Sequence, residues 1–428
     1  MSRVDKQRVC EANFAVGGNM QIRKSKVVLA VGLAVTFAGL GVGQFKLQQQ
    51  ANAASGSGVQ APAFQVDPFW PKPLPNHWIL GNVIGVAVDS RDHVYIVHRD
   101  SDDKFARVTE IGLKAGVSEC CTPAPPVLEF DPDGNLVRAW GGPGEGYTWP
   151  SSNHGLEVDS KGNVWIGGNG GSYGAAERKG EPFDSHILKF TNDGKFLQQI
   201  GEPLKNTDSN SELHFGKVAE ISIDEKVNEV YVADGYGNKR VVVLDSNTGA
   251  FKRYWGAYGN KPVDAPVPRY VVGETPPQQF RGPVHCAQPT NDGLLYVCDR
   301  AADRIQVFKR DGTFVKEKVV APNTLAQGST WDIAFSRDKE QKYMYLVDGQ
   351  NMKVYVMDRQ SMEVLYSFGD GGRQPGLWYA PHSIVTDSKG NLYTTETYEG
   401  KRVQRFNYQG IKPVTKQVQG AAWPKGKI

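Results

Sequence analysis

One pattern constrains this chain more than its length does: a unit that recurs six times, at Gly85–Arg99, His154–Gly168, Ala219–Asp245, His285–Phe308, Trp331–Asp358 and His382–Phe406. Each opens on a short apolar strand, then a polar residue and a Gly/Asn/Lys turn, an aromatic-rich strand, a second turn and a third strand. Several add a fourth strand, such as Phe196–Ile200 and Phe314–Lys318, and several close on glycine, at Gly141, Gly201, Gly256 and Gly369. Period-two alternation broken by Asp-Gly and Asn-Gly turns is hairpin chemistry. Helical periodicity longer than two turns is absent. Repeats of this kind cannot bury their faces alone and pack together until the array closes. Six four-stranded units with no helices between them predict an all-β fold, a six-bladed β-propeller.

Aligned on the polar residue that ends each first strand, the equivalent positions five residues earlier are Ile84, His154, Ala219, His285, Trp331 and His382. They lie 70, 65, 66, 46 and 51 residues apart, and the surplus falls in loops at 101–126, 168–185 and 256–279. The propeller is expected over 80–410. Before it, 54–79 reads as a Pro-rich linker in which Ala63–Val66 is the candidate strand to complete the last blade; after it, 411–428 reads as a C-terminal tail.

Residues 1–53 read as targeting. Arg23, Lys24 and Lys26 precede the uncharged run Val27–Gly43, and Ala51-Asn52-Ala53 offers a small-residue cleavage site. Residues 1–19 are polar for a signal, which makes Met20 an alternative start. The apolar run is at the lower edge of a bilayer span, so the alternative to cleavage is an N-terminal anchor, the one membrane contact expected. Either way the folded part is expected in the periplasm or outside the cell. Cysteine usage fits: beyond Cys10 in the leader there are Cys120, Cys121, Cys286 and Cys298. Counting outward from the turn at 291–293 sets Cys286 opposite Cys298, where a cross-strand disulfide is reasonable. Cys120 and Cys121 are adjacent, so a bond between them is expected to be strained. Lys and Arg total 49 against 46 acids, a net charge of +3 with no basic field for nucleic acid. The expected partner is a small-molecule substrate.

Histidine fills the aligned position in blades two, four and six, and apolar residues fill it in one, three and five. Alternate blades of a six-bladed ring are spaced about 120° around the axis, so three imidazoles would converge on the channel. Three neutral histidines with an open fourth position are a catalytic zinc arrangement, and another divalent transition metal would fit as well. Such a metal lowers the pKa of a bound water or polarises a bound oxygen. The alternative is that these are turn histidines bonded to neighbouring blades. For His77, His93, His98, His186 and His214 the structural reading is preferred.

The units resemble NHL-type repeats, and the order of motifs over roughly residues 80–408 is similar to the lyase that cleaves peptidyl-α-hydroxyglycine to an amide and glyoxylate. The resemblance rests on His98-Arg99, on His154-Gly155-Leu156, on Ala233-Asp234-Gly235-Tyr236-Gly237-Asn238, on Asp299-Arg300 with Arg304-Ile305-Gln306, and on Pro381-His382. It implies that His154, His285 and His382 hold the catalytic metal and that Tyr236 is an active-site phenol near the substrate hydroxyl. It also implies that Arg99 and Arg300 bind the substrate carboxylate or steady the phenolate. These roles are physically coherent. Removing the hydroxyl proton of a carbinolamide collapses its C–N bond to a carbonyl and an amide. Nearby cations favour a charged phenol, and Arg forks match carboxylates. The alternatives are a turn aromatic for Tyr236 and surface ion pairs for the arginines.

The chain departs from the family in three places. Ser383 stands where the family has Asp after the third histidine, and Ala380 where it has Met. That Asp contributes to a structural calcium, so calcium is in doubt, with Asp332 of the adjacent blade the candidate to compensate. Gly237 replaces a cysteine, and no copper monooxygenase region accompanies the repeats. Peptide amidation as such is therefore not the expected task; a related small oxygenated substrate is. Two rival readings are a lactonase-like metal hydrolase, whose channel is usually lined by Glu, Asp and Asn, and a non-enzymatic NHL binding scaffold.

Overall fold

The repeat signature is a set of hydrogen bonds. Asp159, at the end of a first strand, accepts Lys161 N (3.1 Å) and Asn163 N (2.7 Å) on one oxygen and the buried Trp165 Nε1 (3.2 Å) on the other. Asp387 does the same for Lys389 N, Asn391 N and the Tyr393 hydroxyl. One carboxylate thus closes the turn and satisfies the polar tip of the aromatic that packs beneath it.

The computed structural model describes residues 58–99, 108–171, 184–203, 208–418 and 420–424. All but Gly58 fall in the unit Val59–Ile428; the proposed targeting segment, residues 1–53, lies outside the described residues. Among those described, no helix is long and apolar enough to cross a membrane.

Six antiparallel sheets follow in chain order, and the fold is a six-bladed β-propeller. Their first strands are Asn82–Val88, Asn153–Val158, Val218–Asp224, Val284–Pro289, Asp332–Phe335 and Pro381–Thr386. Each touches the next, and the last touches the first, so they form the innermost ring. The apolar core lies between blades, in six clusters. Leu156, Ile166 and Phe190 of blade 2 pack on Tyr95 and Val97 of blade 1, for example, and Tyr231 and Ala233 of blade 3 pack on Leu295 and Val297 of blade 4.

The ring is closed by both ends of the described chain. Val59–Asp67 pairs antiparallel with Arg402–Val414 and completes blade 6, so the strand looked for at Ala63–Val66 is longer than the sequence suggested. The stretch from 411 is not a loose tail: Gln417–Val418 adds a fifth strand to blade 5, and Val66 N donates to Ala422 O (2.9 Å). Cys286 and Cys298 face each other in register and are bonded, S–S 2.02 Å. Cys120 and Cys121, whose pairing the sequence left open, are bonded to each other, with a cis peptide between them and Cα atoms 3.2 Å apart.

Chain direction sorts the loops. First strands start, second strands end and fourth strands end on one face, which therefore carries every long connection. The opposite face carries only hairpin turns.

Candidate metal centre and active site

On the long-loop face, three connections between second and third strands begin with an acid and end with an arginine that pair. Asp234 Oδ2 accepts Arg240 Nε (2.8 Å), Asp299 Oδ2 accepts Arg304 Nη2 (2.7 Å), and Glu396 pairs with Arg402. Arg240 also donates to Ser209 O (3.0 Å) and His214 O (2.7 Å), and Arg304 to Pro277 O (3.1 Å) and Gln279 O (3.2 Å). Arg240 and Arg304 are 1% and 0% exposed. Buried or half-buried and multiply bonded, these brackets hold the connections in place, and the side chains between them form the mouth of the channel.

His154, His285 and His382 sit at the starts of their first strands, at most 3% exposed. Their ring centroids are 5.4, 4.8 and 4.9 Å apart, and one nitrogen from each lies within 4.8 Å of the others. The other nitrogen of each ring bonds outward. His154 Nδ1 faces Ala219 O (2.6 Å), and His285 Nδ1 faces Trp331 O (2.5 Å). His382 Nδ1 faces the Ser383 hydroxyl (3.1 Å), which itself donates to Ile84 O (2.9 Å). Carbonyl oxygens accept only, and the serine proton is already committed, so all three rings carry their proton on Nδ1 and aim Nε2 lone pairs inward. The apolar positions of blades one, three and five thus supply the backbone acceptors. Burial, with Arg99 and Arg300 adding for His154 and Arg300 and His154 adding for His285, drives these imidazoles well below their usual pKa; His382 follows from burial and its two neighbours. Neutral, fixed and convergent, the set fits a divalent metal that takes three nitrogens and leaves an open position.

Tyr236 Oη stands 3.0 Å from both His154 Nε2 and His285 Nε2 and accepts Arg300 Nη1 (3.1 Å). The Arg300 guanidinium lies 4.4 Å from the centre of the Trp331 ring, a cation–π contact that fixes its plane. Arg99 ends the second strand of blade 1 and donates to Asn169 Oδ1 (2.9 Å), which also accepts the Ser152 hydroxyl (2.9 Å). Five of the six residues named from sequence are thus in mutual contact, and Arg99 stands within electrostatic reach of His154 and Tyr236. Burial raises the pKa of Tyr236 against the opposing pull of Arg300 and Arg99.

The sequence reading missed Asn169, Gln327 and Tyr398. It read Ser383 as the loss of a carboxylate, whereas it is the hydrogen-bond partner of a histidine. Below the histidines, Glu220 and Asp332 come together. Asp332 accepts Ile333 N (2.6 Å) and Ile384 N (2.9 Å), Glu220 accepts Ala287 N (2.7 Å), and burial raises the pKa of both. The remaining channel is a cavity of about 220 Å³ lined also by Glu157 and Arg337. Away from the axis, His93 bonds Glu129 (2.7 Å), His98 bonds Pro125 O (2.9 Å) and His186 bonds Thr148 O (2.6 Å).

No protein-family model matches the chain. NHL repeat-containing protein 3 of Mus musculus is 25% identical over 366 residues, which are 81% of this chain and 85% of that protein. Peptidylglycine alpha-amidating monooxygenase of Rattus norvegicus is 26% identical over 357 residues, 79% of this chain and 32% of the enzyme, so the chain spans about a third of that relative's length. Among solved structures, a catalytically inactive virginiamycin B lyase from Staphylococcus aureus aligns at 15% identity and a TM-score of 0.44, covering 82% of this chain and 88% of that one. The six blades, with sequence similarity to both curated proteins along about four-fifths of the chain, make it a six-bladed β-propeller similar in sequence to NHL repeat-containing protein 3 and to part of peptidylglycine alpha-amidating monooxygenase.

Proposed function

We propose that this protein is a metal-dependent lyase that cleaves the C–N bond of a small carbinolamide, an N-acyl-α-hydroxyglycine or close relative, releasing an amide and an aldehyde acid. One observation carries the reading: a half-buried phenol, a guanidinium and three inward imidazole lone pairs meet in a single cluster. His154, His285 and His382 would hold the metal, zinc or another divalent transition ion. Bound there, it would supply Lewis-acid polarisation of a substrate oxygen.

The protein's own groups do the rest. The reaction moves one proton from the substrate hydroxyl to the departing amide nitrogen while the C–N electron pair leaves with that nitrogen. Tyr236 Oη, adjoining two of the ligands, is placed to exchange that proton. Arg300, held flat on Trp331, stabilises negative charge on the phenol oxygen, and Arg300 and Arg99 offer forks to the substrate carboxylate. The Cys286–Cys298 bond favours an oxidising compartment, periplasmic or extracellular.

The test is glyoxylate release from N-benzoyl-α-hydroxyglycine by purified protein, before and after chelation and zinc restoration. Metal-dependent release that Tyr236→Phe lowers far more than metal content supports the proposal. Metal-loaded, folded protein that releases none overturns it.

A further inference from the structure

The repeat brings a second phenol to the mouth. Asp234–Arg240 and Glu396–Arg402 are connections of equal length, each bracketed by the acid–arginine pair, and each carries tyrosine at its third position: Tyr236 and Tyr398. Blades 3 and 6 are half a turn apart, so the two side chains enter the mouth from opposite sides. The Tyr398 hydroxyl lies within electrostatic reach of both Tyr236 and Arg99.

The two tyrosines differ in what they do there. Tyr236 is bonded to the metal ligands, whereas Tyr398 is 41% exposed and holds a backbone φ of +49°, a region that bulky residues seldom occupy and that clusters at functional sites. Its hydroxyl accepts Gln327 Nε2 (2.9 Å) and donates to Gln327 Oε1 (3.1 Å). Gln327 Oε1 also accepts Arg300 Nη2 (3.3 Å), the arginine bonded to Tyr236. Gln327 is fixed by its neighbour: Gly328 has φ +78°, and a Cβ there would collide with the Arg300 carbonyl. One hydroxyl serving both ends of one carboxamide is a cramped match. A ligand amide, with N–H beside C=O, would satisfy both ends with separate atoms.

We propose that Gln327 and Tyr398 form the outer subsite of this channel, which takes the amide and acyl part of an N-acyl substrate. Gln327 pairs with the amide, the Tyr398 ring covers the acyl group, and Arg300 joins the subsite to the reacting centre. This deepens the lyase reading and rests on it for the identity of the reacting end.

The experiment uses the full chain loaded with zinc. N-benzoylglycine has the acyl amide and the carboxylate but no hydroxyl to react, so its binding is measured by calorimetry without turnover. Tyr398→Ala and Gln327→Ala should each weaken it about tenfold, the scale of a lost amide pairing, with zinc content unchanged. On N-benzoyl-α-hydroxyglycine the loss should fall mainly on KM. Gln327→Glu, of the same shape, and Tyr398→Phe supply folded variants should an alanine variant misfold, and Gln327→Glu should weaken binding too. Unchanged affinity in the folded Gln327 variants or in folded Tyr398→Ala overturns the subsite, whereas Tyr398→Phe keeps the ring and should bind nearly as the wild type; wild-type protein that binds free glycine as tightly as N-benzoylglycine overturns it too. Wild-type protein that binds N-benzoylglycine through these residues yet releases no glyoxylate defeats the lyase reading and leaves the subsite standing.

Discussion

Of the three candidate ligands, only His382 has its Nδ1 held by a side chain. His154 and His285 hand their Nδ1 protons to backbone carbonyls that no substitution removes, whereas His382 relies on the Ser383 hydroxyl, itself anchored to Ile84 O. Ser383→Ala deletes the relay and leaves two polar groups facing each other without a bridging proton and lone pair. An unsatisfied buried group costs about 1–3 kcal/mol, and His382 is 3% exposed. The ring can recover part of that by turning or by moving its proton to Nε2, and either change withdraws the lone pair from the centre. Outer partners of this kind are worth about 10–100-fold in metal affinity, or roughly 1.4–2.7 kcal/mol. Competition for zinc against a chromogenic chelator measures this directly, with a melting curve to show that the ring is intact. Ser383→Thr keeps the hydroxyl and should keep the affinity. If Ser383→Ala holds zinc as tightly as the wild type, the orienting role is wrong.

Three other outcomes follow from the geometry. A Cβ at Gly235 would sit 2.1 Å from both Val284 N and Val284 O, backbone atoms just before His285, so Gly235→Ala should cost about 1–3 kcal/mol and displace Tyr236; a variant with unchanged melting and turnover would contradict this. Removing the Cys286–Cys298 bond, which spans 12 residues, by substitution of both with Ala should lower unfolding free energy in urea by about 3 kcal/mol, and no loss would mean the bond adds nothing. Burial in the channel pushes Glu157 up to about 8, helped by the charges of Glu220 and Asp159 and opposed by Arg337. The folded protein therefore holds that proton where the unfolded chain has released it, and stability is lost as pH rises through 8. Glu157→Gln should flatten the fall in melting temperature between pH 6 and 9, and equal falls would argue against the assignment.

The repeat made the blades and the histidine column legible because strand register is periodic and channel positions inherit it. The same logic reaches Tyr398, which shares the place of Tyr236 in its own unit but falls outside the histidine column. Ser383 was visible as a residue but not as a partner, since its role depends on Ile84, a neighbour across the junction of blades 6 and 1 and 299 residues away. Gln327 sits in a connection of irregular length with no counterpart in other units, and only the folded loop brings it to Arg300. The protonation of Tyr236 turns on a contest between burial and two cations, which residue identities alone leave undecided.

The pairing of Val59 with Val414 places the clasp of the ring at opposite ends of the chain. During synthesis, five blades can assemble in order while the sixth waits for Arg402–Val414 to emerge and for Val59–Asp67 to find it. Closing so long a loop is the slow, entropically costly kind of contact. Blade 6 carries His382, Ser383 and Tyr398, so the proposed site stays incomplete until that blade has formed. Trimming a leader at Ala53 would spare the clasp; trimming past Asp67 would leave blade 6, the blade of His382, without its outermost strand and the ring without its clasp.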